Sequence, residues 1–158
     1  MHPLTLVVHN VRSAHNVGSI LRTAECAGIT KVYLCGYTPT PTDRFGRKQN
    51  DIAKVALGAE DIVAWEHRAS TVDLIHELRT AGVRVVALEQ NKHSVPYTDV
   101  APDRPTALIL GEEVHGIPDD VLAHCDTVIE IPVHGTKESL NVSVAAGIAI
   151  FRLVEKDA

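Results

Sequence analysis

Three stretches of this chain put polar side chains where a hydrophobic core would reject them, and each follows a run that reads as a buried strand. The first runs from Asn10 to Arg22. Asn16 stands near a helix entrance and Arg22 lies six residues further on, about 120° around the helix. They meet at one site only if the long Arg22 side chain reaches back. Gly18 and Ser19 leave room for another chain or a ligand. The plainer reading is that Asn16 caps the helix and Arg22 pairs with an acid. The second stretch, Ala107 to Gly116, runs a strand into a glycine turn that carries Glu112 and Glu113. Gly111 and Gly116 allow a ligand to approach the backbone. Two adjacent carboxylates cost energy without partners; a loop with solvated acids is the plain alternative. The third stretch runs from Ile129 to Phe151. A strand ends at Pro132, a glycine loop follows, and Ser139, Leu140 and Asn141 open an apolar helix. Ser139 is suited to cap that helix, whereas Asn141 in the first turn is poorly explained by propensity. Ala145, Ala146 and Gly147 point to close packing against another backbone, in the core or in a dimer.

Other chemistries find no support. There is no G-x-x-x-x-G-K-[ST] phosphate loop and no G-x-G-x-x-G after the first strand. The nine histidines show no H-E-x-x-H spacing, and no G-x-S-x-G elbow is present. Cys26, Cys35 and Cys125 are widely spaced and odd in number, so neither a disulfide framework nor a zinc site is expected. They are read as reduced, mostly buried thiols of a cytoplasmic protein. The net charge of −5 weighs against a general nucleic-acid binder. Arg44, Arg47 and Lys48 nevertheless cluster, either as a solvated loop or as a phosphate contact.

These residues need a scaffold. At 158 residues and 45 % hydrophobic, the chain suits one compact domain spanning residues 1–158. Its core is aliphatic, which favours a sheet covered by helices. Strands are expected at Leu4–Val8, Lys31–Cys35, Ile62–Trp65, Arg84–Leu88, Thr106–Leu110 and Thr127–Ile131. Helices are expected at Asn16–Ala27, Asp51–Leu57, Ser70–Ala81, Pro118–His124 and Leu140–Val154. Gly36 to Asn50 is the longest irregular segment and the candidate for a mobile substrate loop; Gln90 to Arg104 is a second. The alternation predicts an α/β fold, a mostly parallel sheet with helices on both faces. Ligands of such sheets bind beyond the carboxyl ends of the strands, which is where the polar stretches fall. No targeting segment and no apolar stretch of roughly 20 residues is seen, so no membrane is expected as a partner, and the absent cysteine and histidine spacings give no metal either.

Together and in this order, the three stretches resemble the signature motifs of the SpoU/TrmH-type RNA methyltransferases of the SPOUT superfamily. Asn16 to Arg22 resembles the N-x-x-x-x-x-R motif. Leu108 to Gly116 resembles L-x-L-G-x-E-x-x-G, and Ile131 to Ala145 resembles I-P-x-x-G-x-x-x-S-L-N-V-S-x-A. The resemblance runs from Leu6 to about Val154. It implies a sheet whose C-terminal part forms a deep trefoil knot, a rare feature, and a homodimer with the first and last helices near the interface. It implies S-adenosyl-L-methionine bound by Leu88, Glu89, Gly111, Glu112, Ile131, Pro132 and Leu140. It also implies methylation of a ribose 2′-hydroxyl in structured RNA, transfer RNA ahead of ribosomal RNA. Arg22 would activate the hydroxyl, with Asn16, Glu113, Ser139 and Asn141 shaping the site. Arginine is almost always protonated, so Arg22 is expected to act with a substrate phosphate, either losing a proton transiently or stabilising the developing alkoxide. Larger relatives carry an N-terminal RNA-binding domain or a long basic tail that this sequence lacks. RNA contact is therefore expected from Arg12, Arg44, Arg47 and Lys48, helped by the dimer partner.

Two other classes compete with this reading. One is a protein of the same fold that binds cofactor and RNA without turnover; the full set Asn16, Arg22, Glu113 and Asn141 counts against it. The other is an ordinary doubly wound nucleotide-binding enzyme, against which the missing phosphate fingerprint counts.

Overall fold

A computed structural model describes residues 2–155. Seven strands form one sheet: β1 (Leu4–His9), β2 (Lys31–Cys35), β3 (Ala64–Arg68), β4 (Arg84–Leu88), β5 (Val95–Pro96), β6 (Thr106–Leu110) and β7 (Thr127–Glu130). Their order is β3-β2-β1-β6-β4-β7-β5, and every neighbouring pair is parallel. Six helices cover it: α1 (Ala14–Cys26), α2 (Asn50–Ala56), α3 (Ala59–Ile62), α4 (Thr71–Thr80), α5 (Asp119–Leu122) and α6 (Val142–Val154). The expected α/β class holds, with all pairs parallel.

Side chains alternate across the strands, so each central strand feeds two cores. Leu6, Val8, Val32, Leu34, Val86, Leu108 and Leu110 pack with Ile20 and Leu21 of α1, Ile52 of α2 and Ile150 of α6. Val7, Val85, Ala87, Ala107 and Ile109 pack on the other face with Leu74 and Ile75 of α4 and Val121 of α5. Strands buried on both faces read as continuous apolar runs, which is why β4 and β6 fall where the sequence places them.

Some elements differ from expectation. Ile62 closes the short helix α3, and β3 starts at Ala64 rather than Ile62. Helix α1 begins two residues before Asn16, because Ser13 caps it and accepts a hydrogen bond from the Asn16 N–H. Asn16 is therefore released from capping. At α6 the cap is Asn141, whose side chain accepts from the Ser143 N–H; Ser139 lies outside the helix. Gly18 serves its own chain: a Cβ there would meet the Ile52 carbonyl oxygen at 2.7 Å, so the glycine lets α1 pack tightly on α2. At Gly147 a Cβ would meet Thr23 at 3.8 Å, an ordinary contact.

Residues 38–49 form a folded hairpin-like turn where the sequence indicates a mobile loop. The Asp43 carboxylate accepts the N–H groups of Phe45 (2.8 Å) and Arg47 (3.0 Å) and the Arg47 guanidinium (2.7 Å). Gly46 closes the turn at φ 77°, and the Gln49 N–H donates to the Pro41 carbonyl (2.8 Å). Asp side chains build such turns by binding their own backbone.

Candidate active site

β1 leads through α1 to β2 on one side, while β6 leads through α5 toward β7 on the other. The two chains leave adjacent strands in opposite directions and open a crevice at their carboxyl ends. All three polar stretches meet there. The Asn141 Nδ2 donates to Asn16 Oδ1 (3.3 Å), and the Asn16 Nδ2 donates to Glu113 Oε1 (3.1 Å). Glu113 also accepts the backbone N–H groups of Ser13 (3.2 Å) and Arg12 (3.3 Å). One carboxylate thus ties the loop after β6 to the entrance of α1, and two amides extend that tie to the start of α6. Burial works against the Glu113 charge, but the Asn16 amide and these backbone donors outweigh it and hold the carboxyl below its usual range.

Beside this cluster lies a cleft of about 480 Å³, a volume typical of small-molecule sites. It is lined by Leu88, Glu89, Gly111, Glu112, Ile131 and Leu140, and by Glu113, Ser139 and Asn141. Of the residues expected to hold a cofactor, Pro132 alone lies off the wall, between Ile131 and Val133, which line it. Val133, Val142, Ala145, Glu130 and Glu138 also line it and were not singled out. Helical spacing points to two of them: Val142 and Ala145 lie three residues apart and share one face of α6.

The loop after β6 is built around its glycines. A Cβ on Gly111 would meet the Gly116 carbonyl carbon at 2.6 Å, and Gly116 has φ 67°. Glu89 sits against Gly116, and its carboxylate accepts the Ile117 N–H (2.9 Å). The Glu112 carboxylate accepts the His115 N–H. The adjacent acids therefore find backbone and amide donors rather than cations. Five carboxylates line the cleft, those of Glu89, Glu112, Glu113, Glu130 and Glu138, and among the described residues no lysine or arginine does. Such a wall favours a cationic ligand and opposes a phosphate. Among the described residues no cluster of His, Cys, Asp and Glu is arranged to hold a metal.

Arg22 is not brought to this cluster within one chain. It is exposed on α1, whose buried side carries Asn16, Val17, Ile20, Leu21 and Ala24. Arg12 lies at the cluster's edge: its backbone binds Glu113, and its guanidinium lies 5.1 Å from the Tyr37 ring. Arg44 and Arg47 lie against Phe45, at 4.7 and 5.1 Å. Arg47 also pairs with Asp43 (2.7 Å), and Lys48 with Glu60 (3.7 Å). Of the cysteines, Cys35 is buried, Cys125 is partly buried with its thiol pushed up to about 12, mainly by burial, and Cys26 is exposed. Among the described residues no helix is long and apolar enough to cross a membrane.

Known proteins resemble this chain in sequence and in fold. The chain is 34 % identical over 158 residues to the 23S rRNA (guanosine-2′-O-)-methyltransferase RlmB of Ralstonia nicotianae, covering 98 % of this chain and 59 % of that protein. It is 31 % identical to the tRNA (guanosine(18)-2′-O)-methyltransferase of Aquifex aeolicus, covering 94 % of this chain and 67 % of the relative. The chain thus spans roughly three fifths of the length of the RlmB relative. The AdoMet-bound rRNA methyltransferase of Sinorhizobium meliloti superposes with a TM-score of 0.86 at 30 % identity, over 97 % of this chain and 57 % of that one. A sequence profile of the SpoU rRNA Methylase family matches residues 3–151, which takes in β1, all three polar stretches and most of α6. With its fold, its converging loops and that match over nearly its full length, the chain belongs to the SpoU rRNA Methylase family.

Proposed function

We propose that the chain transfers the methyl group of S-adenosyl-L-methionine to a ribose 2′-hydroxyl of structured RNA, transfer RNA ahead of ribosomal RNA. The carrying observation is the Asn141–Asn16–Glu113 relay beside an acid-lined cleft. The cleft fits this cofactor by its chemistry. Leu88, Leu110, Ile131 and Leu140 give apolar contact for an adenine, and loop backbone offers hydrogen bonds to its edge. The carboxylates suit a sulfonium and an ammonium. The same wall opposes dinucleotides and nucleoside phosphates, which counts against a nucleotide-binding enzyme. Relatives named for guanosine 2′-O-methylation of rRNA and tRNA support the substrate class.

When bound, the cofactor supplies an electrophilic methyl carbon on a thioether leaving group. The chain's own residues hold and orient. Glu113 and the two asparagines fix the loops that place the ribose, with Ser139 on the wall of the cleft. The 2′-hydroxyl oxygen forms its bond to the methyl carbon as the carbon–sulfur bond breaks, its proton passes to an oxygen of the substrate phosphate, and Arg22, paired with that phosphate, stabilises the negative charge developing on the 2′-oxygen. In-line placement of the reacting atoms supplies a large part of the rate. Arg12, Arg44, Arg47 and Lys48 hold RNA phosphates.

Arg22 stands away from the cleft of its own chain, and this is reconciled by a homodimer in which Arg22 of one protomer completes the site of the other. Val144, Ile148 and Phe151 form an exposed apolar row along α6, with exposed Leu140 just before its cap, a surface suited to self-association. Subunit mixing tests it. Arg22→Ala and Asn141→Ala are each expected to be inactive. Unfolded and refolded together they should recover about a quarter of wild-type activity, because half the dimers are mixed and one of their two sites is intact. No recovery would place Arg22 and Asn141 of one chain in one site. Monomers in sedimentation would end the dimer reading.

A further inference from the structure

The 38–49 turn shapes a second concavity, of about 680 Å³, against the edge strand β3. Phe45 stands at the tip of this turn with 67 % of its surface exposed. The turn is held by Asp43 rather than by packing of Phe45, so the ring is presented, not tucked away. Arg44 and Arg47 lie against the ring, and Trp65, His67 and Gln49 face the same space. An aromatic ring, guanidinium groups and an amide around one hollow are the parts of a nucleobase site. The ring and guanidiniums stack on any base, and the amide and imidazole offer hydrogen bonds to its edge.

Its position agrees. The turn follows β2, so it opens on the same carboxyl-end rim as the cleft. Three strand spacings, about 14 Å, separate β3 from β6 across the sheet. Between them lies Arg12, stacked on the exposed Tyr37 ring. The rim therefore carries a cleft at one end, a cation–aromatic pair in the middle and an aromatic hollow at the other end.

We propose that the Phe45 hollow binds an unpaired base of the substrate RNA a few nucleotides from the methylated ribose, with Phe45 as the stacking surface and Arg12–Tyr37 bridging the path between. This rests on the RNA reading above, so its test does not require turnover.

Binding of a labelled, mixed-sequence single-stranded RNA oligomer is measured by fluorescence anisotropy for wild type, Phe45→Ala and Phe45→Tyr. In parallel, KM and kcat are measured with unmodified total tRNA. Phe45→Ala should weaken binding and raise KM about tenfold, with kcat nearly unchanged and affinity for S-adenosylmethionine unaltered. Phe45→Tyr keeps the ring and should stay near wild type. Equal binding by wild type and Phe45→Ala would overturn the stacking site. So would a Phe45→Tyr variant as weak as the alanine. Weakened binding in a protein that incorporates no methyl group would uphold the hollow as an RNA site and sink the transferase reading alone.

Discussion

The two ends of one sheet rim solve opposite electrostatic problems. At the β6–β4–β7 end, five carboxylates line a cleft, and three of them, Glu89, Glu112 and Glu113, bind backbone and amide donors. At the β2–β3 end, a turn folded on a single aspartate presents Arg44, Arg47 and Phe45. A net charge of −5 averages over both and describes neither. A cationic methyl donor and an anionic polymer need not compete when their charges are met some strands apart on the rim. If the acid-lined cleft holds the proposed cationic cofactor, acidity of the whole chain is no argument against RNA.

The largest effect is expected from Arg22→Ala. Loss of a charge that acts on the developing alkoxide should lower kcat roughly 1000-fold while the affinity for S-adenosylmethionine, read by calorimetry, stays at wild type. Retained turnover would remove Arg22 from the chemistry. Glu113→Ala unties the loops of the cleft end and frees the Arg12 backbone, while the Asp43-held turn of the basic end stays intact. Its kcat/KM should fall roughly 100-fold through misplacement, with RNA affinity reduced no more than in Arg12→Ala; a larger loss of RNA affinity would mean the two ends are one site. Arg44→Ala makes the converse cut. Arg44 has no ion-pair partner among the described residues, so its removal should reduce the slope of log affinity against log salt by about 1. An unchanged slope would take Arg44 off the phosphate path.

The smallest effect concerns β1, which runs between the two ends. His9 is buried and hydrogen-bonded to Thr71 (2.7 Å). Burial pushes its imidazolium down, outweighing the pull of Asp120 and Glu112. The unfolded chain therefore takes up this proton first, and stability falls as pH drops below the ordinary histidine range, about 6.5. Urea unfolding at pH 7.5 and pH 5.5 should show that loss, and His9→Asn should blunt it. An equal loss in the variant would assign the pH dependence to other groups.

Much of the frame was legible. β6 is an uninterrupted β-branched or aliphatic run and β4 is one after Arg84, the pattern of strands buried on both faces. β5 was not legible, because two residues, one of them Pro96, carry no period. The site was legible as three stretches but not as a geometry. Ser13 stands three residues before Asn16, a capping spacing that frees Asn16 for Glu113, and both readings of Asn16 fit the sequence until the cap is seen. Asn141 proves to be both cap and relay, so its unusual position had two causes. The 38–49 turn looked irregular by composition, yet Asp43 with Gly46 three residues on is the signature of a turn closed on its own backbone. The place of Arg22 was the least legible. Helical spacing already set it well around from Asn16, and the partner protomer proposed above would leave no mark in the spacing of one chain.

One assay bears on all of this. Purified protein is given tritiated S-adenosylmethionine and unmodified total RNA, and the product is digested to nucleosides. Label should emerge as a 2′-O-methylnucleoside, and Glu113→Ala should yield almost none. Label on a base, or no label in RNA from wild-type protein shown to bind the cofactor, would contradict the account.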